Sequence, residues 1–203
     1  MAAIPKGLGW PKLVLASASP RRAELLRQVG ADFVIRPTLV DERNGVNGSP
    51  EELSVGLAKL KAEASVRALR GRLGGRVILA ADTVVSYRYH LLGKPENDRE
   101  ASRMLRLLSG RTHQVITGVC LAGPGGHVMT GHEASSVRFR RLSPAMVRWY
   151  VSTGEPQDKA GAYGIQGRGA LLVKRVEGCY FNVVGLPLGL LDRMLAKFTR
   201  LKA

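Results

Sequence analysis

LVLASASPRRAELLRQVG, residues 13–30, sets the architecture. Leu13-Val14-Leu15-Ala16 is a short apolar run that stops at Ser17, and it reads as a buried strand. Pro20 to Val29 reads as a helix, with apolar Ala23, Leu25, Leu26 and Val29 interleaved with charge and Gly30 as its stop. Ser19 suits the N-cap and Pro20 the first helical position. Phe33-Val34-Ile35 is a second strand candidate. Strand, helix and strand in succession open a chain of the α/β type.

The pattern continues outward. Asp41 to Gly48 is polar and reads as a loop. A long helix is predicted from Pro50 to about Leu69, with Ser49 and Glu52 spaced as a capping box. Val77 to Val85 is an apolar strand interrupted by Asp82-Thr83. The chain turns back between Tyr87 and Leu92 towards Gly93-Lys94-Pro95, and a helix spans Asp98 to about Ser109. Val115 to Leu121 and Val128 to Phe139 read as strands around a Gly-Pro-Gly-Gly turn at 123–126. A short helix opens at Ser143-Pro144. A Gly-rich stretch, Lys159 to Gly169, leads into a strand from Ala170 to Val176. Glu177-Gly178 then turns into an apolar run, Cys179 to Val184, and a last helix runs from Pro187 to about Leu201. Alternation early and hairpins in the middle predict a sheet with both parallel and antiparallel pairs.

The 203 residues suit one domain, 1–203 with a core over 12–200, and suffice to bury that core without staples. Two cysteines, Cys120 and Cys179, cannot make a disulfide framework; both read as core residues of apolar strands. His90, His113, His127 and His132 lack zinc-ligand spacing. No apolar run approaches a membrane span, and the first dozen residues lack the apolar core of a secretory signal, so a cytoplasmic setting is expected. The formal net charge of +15 leaves polyanion binding open. Basic residues never run longer than two, however, and aromatics are only 5%, which argues against a single-strand stacking platform.

Four features carry chemistry. Arg21 and Arg22 would occupy the first turn of a helix, where the dipole disfavours cations by about 0.3–1 kcal/mol each. An anion held by the helix N-terminus, the serine hydroxyls and two guanidinium forks reverses that balance; the alternative is an ordinary cap followed by solvated arginines. Asp82 is a carboxylate inside an apolar run, costly unless paired, hydrogen-bonded or bound to metal, and so a candidate general base or metal ligand; the alternative is a strand that ends at Ala81, with Asp82 capping a turn. Charged residues outside that run come third: Asp41-Glu42, suited to hard cations, Lys94 in a stiff turn, and Lys61 on the long helix. Lastly, Asp158 to Gly167 combines glycines, which allow close backbone approach to a ligand, with Gln166, able to donate and accept at a base edge. Its alternative is a flexible connection.

These segments, LVLASASPRR (13–22), VDE (40–42), LAKLKA (57–62), AADTVV (80–85), GKP (93–95), MLRLLSGRTHQVITGV (104–119), GEPQDKAGAYGIQGRGALLV (154–173) and NVVGLPL (182–188), together resemble the Maf family of nucleoside triphosphate pyrophosphatases. The resemblance implies a mixed, bent sheet flanked by helices, with two lobes around a deep cleft, similar to inosine triphosphatases. It implies hydrolysis of a nucleoside triphosphate to the monophosphate and pyrophosphate, a divalent cation (Mg²⁺ or Mn²⁺), and a homodimer. DKAGAYGIQG is similar to the branch acting on dTTP and UTP. Within that branch the positions matching Arg21, Thr83 and Gln166 are associated with substrate choice, and the one matching Asp82 with proton acceptance.

The roles expected on this basis are as follows. Ser17, Arg21 and Arg22 hold the triphosphate; Lys61 and Lys94 neutralise the leaving pyrophosphate; Glu42 and Asp82, with Asp41 nearby, position the metal. Asp82 orients or deprotonates the attacking water. Thr83 and Gln166 contact the base or sugar, and Lys159 adds positive charge nearby. Two other readings stand beside it: the same fold acting on 7-methyl-GTP or an ITP-like nucleotide, and a non-catalytic nucleic-acid-binding or regulatory role linked to septum formation.

Overall fold

The computed structural model describes residues 9–38, 40, 48–69, 74–88 and 90–200. β1 (Leu13–Leu15) is wholly buried and pairs in parallel on both sides, with β2 (Phe33–Ile35) and with β3 (Val77–Tyr87). An unbroken apolar strand is what a position covered on both faces requires. β3 then pairs antiparallel with β5 (Thr112–Ala122), which pairs with β6 (Val128–Phe139), which pairs with β7 (Val173–Glu177). The order is β2-β1-β3-β5-β6-β7, with β4 (His90–Leu92) also beside β3. This is the mixed α/β sheet that the sequence pattern predicts.

The 11-residue strand β3 runs through two cores. Val77, Leu79 and Ala81 face a cluster built with α1 (Pro20–Gln28) and α6 (Leu188–Arg200). Ile78 and Ala80 face the opposite side, under Ala58 and Ala62 of α2 (Pro50–Leu69). Further along, Val85 and Tyr87 join a different cluster with α3 (Asp98–Leu108) and α4 (Pro144–Ser152). These clusters are the cores of two lobes.

The cleft between the lobes follows from strand lengths. β1 pairs with β3 only as far as Leu79, and β4 takes up the same flank only from Val85. Residues 80–84 therefore have no strand beside them there among the described residues, a gap of roughly 17 Å at ~3.3 Å per residue. Asp82 and Thr83 sit in that gap. Partner strand β5 is continuous opposite it, pairing from Ile78 to Ser86.

Local signals explain most boundaries. The capping box at α2 forms in both directions: Ser49 N–H donates to Glu52 Oε2 at 2.8 Å, and Glu52 N–H to Ser49 Oγ at 3.2 Å. Ser19 has the extended backbone of an N-cap but makes no side-chain cap. Its N–H instead donates to Ser17 Oγ at 3.2 Å.

Two expectations fail. The run after Cys179 is a short helix, α5 (Tyr180–Val184), not a strand, and Cys179 caps it half-buried rather than sitting in the core. Its β-branched valines read as strand, but the left-handed Gly185 (φ 123°) closes a single turn after five residues. The predicted strand from Ala170 also starts late: a 3-10 turn at Glu155–Asp158 leads into the Gly-rich stretch, which holds two more, Ala160–Ala162 and Gly167–Leu172. The last of these replaces the start of the predicted strand at Ala170.

Candidate active site

A cavity of about 670 Å³ fills the gap in the sheet, lined by both lobes. Ser17, Arg21, Arg22, Lys61, Asp82, Thr83, Lys94, Lys159 and Gln166 all line it, so residues scattered over 150 positions are brought to one cavity. Asp41 and Glu42 lie outside the described residues.

One wall is the turn from β1 into α1. Arg22 is held from three sides: Nε donates to the Gly185 carbonyl at 2.9 Å, Nη1 to Ser17 Oγ at 3.0 Å, and Nη2 to Thr83 Oγ1 at 3.2 Å. Ser17 Oγ thus accepts from both Arg22 and Ser19 N–H, which leaves its own proton directed at neither. Ser17 is buried close to a helix N-terminus, where its proton can be offered to an anionic oxygen. The two first-turn cations now have a local reason: Arg22 is an anchored part of the site, and Arg21 reaches across the cleft. Arg21 Nη1 lies 3.4 Å from Asp158 Oδ2 on the opposite lobe.

The floor carries the carboxylate. Asp82 Oδ1 accepts from Lys61 Nζ at 2.5 Å, and both side chains are largely buried. This pairing is the compensation that a carboxylate in an apolar strand requires. The distance depends on Gly118, the residue of β5 opposite Asp82. A Cβ on Gly118 would lie 2.3 Å from the Ser54 carbonyl group of α2, so only glycine lets the helix approach this closely. Lys61 lies two helical turns beyond Ser54 and is thereby lowered onto Asp82.

Thr83 points to the other face. Its hydroxyl is 2.9 Å from that of Thr117, its cross-strand partner in β5. Thr117 Oγ1 donates to the Asn182 carbonyl at 3.0 Å, and Asn182 Nδ2 donates to the Val115 carbonyl and to Ser135 Oγ, both at 2.9 Å. Thr117, Asn182 and Gly185 were not singled out as site residues by sequence reasoning. The available signal was a threonine in an apolar strand and an Asn ahead of two valines and a glycine; their meaning depends on register and on α5.

The far wall belongs to the second lobe. Lys94 is exposed in its turn, which is tied down by a bond from Gly161 N–H to the Gly93 carbonyl at 3.0 Å. Asp158 accepts from Lys159 Nζ at 2.5 Å. Burial pulls the Asp158 carboxyl up, but the Lys159 hydrogen bond and the charges of Lys159 and Arg21 outweigh it and hold the group below its ordinary range. Lys159 also donates to the Glu155 carbonyl at 2.6 Å, so its positive charge is largely spent within this wall. The glycines here pack against protein: a Cβ on Gly161 would press on Val85 at 3.0 Å, and one on Gly169 would meet the Gly164 carbonyl oxygen at 2.0 Å. They wind the segment tightly and present an exposed Gln166 to the cleft.

Behind that wall, His113 lies 2.7 Å from the Tyr163 hydroxyl, and desolvation lowers its pKa to about 4. Burial first, then the Glu63 carboxylate, pushes the Cys120 thiol up to about 12, which removes it as a nucleophile at neutral pH. Among the described residues no group of three or more His, Cys, Asp and Glu could enclose a metal. Two carboxylates among the described residues line the cavity, Asp82 and Asp158, and Asp82 is the buried one, a hard oxygen donor of the kind a divalent cation takes. No helix among the described residues is long and apolar enough to cross a membrane.

The strand-to-helix turn carrying Ser17, Arg21 and Arg22, the buried Asp82–Lys61 pair and the cleft between two lobes of a mixed sheet make up the candidate site. Residues 12–198 match the Maf-like protein family, and the chain belongs to it. It is 51% identical over 187 residues to the dTTP/UTP pyrophosphatase of Symbiobacterium thermophilum, covering 92% of this chain and 94% of the relative. It is 50% identical over 188 residues to the dTTP/UTP pyrophosphatase of Moorella thermoacetica, covering 92% and 95%. Among solved structures, a nucleoside-triphosphatase (dITP/XTP pyrophosphatase) from Mycobacterium abscessus aligns over 92% of this chain and 97% of its own, at 16% identity and a TM-score of 0.47.

Proposed function

We propose that this chain is a nucleotide diphosphatase that hydrolyses dTTP and UTP to the monophosphate and pyrophosphate. The observation that carries the reading is Arg22. It is locked through Ser17, Thr83 and Gly185 at the mouth of α1, beside the Asp82–Lys61 pair. The names of the relatives supply the substrate class.

In this mechanism the triphosphate enters the gap beside β3. Ser17, whose proton is uncommitted to its two known partners, donates to a phosphate oxygen, and Arg22 presents a fixed positive edge. Arg21 exchanges Asp158 for the phosphate chain, and Lys94 closes on it from the opposite lobe. Lys61 is drawn from Asp82 towards the leaving pyrophosphate, which frees the carboxylate to orient the attacking water and take its proton. In-line displacement at the α-phosphorus needs no covalent intermediate. Asp82 would hold the divalent cation, with Glu42 and Asp41 as further candidates. When bound, the cation neutralises charge on the triphosphate. Thr83 and Gln166 face the nucleoside. We place the enzyme in the cytoplasm as a homodimer, where its substrates are dissolved metabolites.

The experiment is a panel of triphosphates with Mg²⁺ or Mn²⁺, reading pyrophosphate release. It spans dTTP, UTP, CTP, ITP and 7-methyl-GTP. Release from dTTP and UTP in preference to the others is expected. No release from any pyrimidine triphosphate rejects the reading.

A further inference from the structure

Thr117 is fully buried, does not itself line the cavity, and ends a chain of hydroxyls whose proton directions can be counted. A threonine hydroxyl has one proton and can accept through two lone pairs. Thr117 Oγ1 donates its proton to the carbonyl of Asn182 at 3.0 Å, and a carbonyl can only accept. In the 2.9 Å contact between Thr83 and Thr117, Thr117 is therefore the acceptor and Thr83 the donor. Arg22 Nη2, which can only donate, points at the same Thr83 oxygen at 3.2 Å. The one proton of Thr83 is thus turned into the protein, and only lone-pair capacity remains towards the cleft. Ser17, the other hydroxyl bound by Arg22, has the reverse polarity: both of its partners donate to it.

We propose that Thr117 is a positioning residue that sets the polarity of Thr83, so that Thr83 meets a bound nucleotide as an acceptor of an N–H or O–H and never as a donor. The inference rests on the nucleotide-hydrolase reading above and deepens it: of two hydroxyls on one guanidinium, Ser17 suits phosphate oxygens and Thr83 suits a donor on the base or sugar. The register Thr83↔Thr117 places the pair, and the carbonyl at Asn182 in α5 orients it. Replacing Thr117 by valine keeps the shape, removes the acceptor, and lets the Thr83 proton swing into the cleft.

The test compares wild type, Thr117→Val and Thr117→Ser in kcat and KM. One substrate pair, dTTP against N3-methyl-dTTP, probes the base N–H. The other, UTP against dUTP, probes the ribose hydroxyl. Wild type and Thr117→Ser should discriminate in at least one pair, and Thr117→Val should lose about tenfold of that discrimination, chiefly in KM. In a Thr83→Val background, Thr117→Val should change selectivity no further, because it acts only through Thr83. Thr117→Cys, whose sulfur is only a weak acceptor, carries the same comparison if Thr117→Val does not fold. Unchanged selectivity in both pairs overturns the proposal, as does an equal effect with Thr83 absent. Calorimetric Kd values for the same nucleotides separate the two claims. Binding without turnover rejects the hydrolase and leaves the Thr117 comparison legible, whereas turnover with unaltered selectivity rejects Thr117 alone. No binding of dTTP or UTP overturns both.

Discussion

Asp82 and Thr83 are neighbours in β3 but face opposite sides of the sheet, Asp82 towards Lys61 of α2 and Thr83 towards Thr117 and Arg22. The period of two in a strand does this to any consecutive pair. Here the flank beside them is open, so both side chains remain reachable from one cavity. In the proposed mechanism a dipeptide interrupting an apolar strand would thus supply a proton acceptor on one face and a nucleoside contact on the other.

Asp82→Asn keeps the shape and a hydrogen-bonding group beside Lys61 but removes the proposed base. Turnover should fall by about 100-fold or more, on the scale of lost general-base catalysis, with the fold intact by circular dichroism. A near-wild-type kcat would remove Asp82 from the chemistry.

Gly118→Ala forces a methyl group into the Ser54 backbone, 2.3 Å away. The cost should be about 1–3 kcal/mol in urea denaturation, typical of overpacking. Because α2 must lift to relieve the clash, Lys61 should separate from Asp82, and kcat should drop although the substitution touches no substrate.

Asp158→Asn removes the negative end of the contact to Arg21 across the cleft. The pair is exposed, so the stability change should stay within about 1 kcal/mol by thermal denaturation. The carboxyl is held below its ordinary 3.8, so the charged form contributes stability above that value. The difference between wild type and variant should therefore persist at neutral pH and vanish as pH falls through the depressed value.

His113 titrates the other way. Its pKa is about 4 in the fold against 6.5 unfolded, so between these values the unfolded chain binds the extra proton. Stability should fall as pH drops from 6.5 towards 4, by roughly 3 kcal/mol at most, and level off below. His113→Gln, still able to bond the Tyr163 hydroxyl, should flatten that part of the profile in urea titrations against pH.

What the chain reveals before folding depends on how local each signal is. The capping box of α2, the apolar run of β1 and Gly30 after α1 act over three or four residues, and their elements appear where expected. The site residues were legible as anomalies: cations in a helix's first turn, a carboxylate in a strand. Their partners were not. Gly118 matters only because α2 crosses there, and Thr117 only because the register sets it opposite Thr83. Tyr180 to Val184 has the composition of a strand, yet tertiary context and Gly185 make it one helical turn that offers backbone carbonyls to Thr117 and Arg22. Carbonyl contacts of this kind have no residue-type signature.

Hydrolysis of dTTP with Mg²⁺ in water labelled with heavy oxygen, followed by mass analysis of both products, tells which phosphorus the water attacks. Attack of water at the α-phosphorus gives unlabelled pyrophosphate and a monophosphate carrying one labelled oxygen, the expected result. Label in the pyrophosphate, or release of orthophosphate instead, would contradict it.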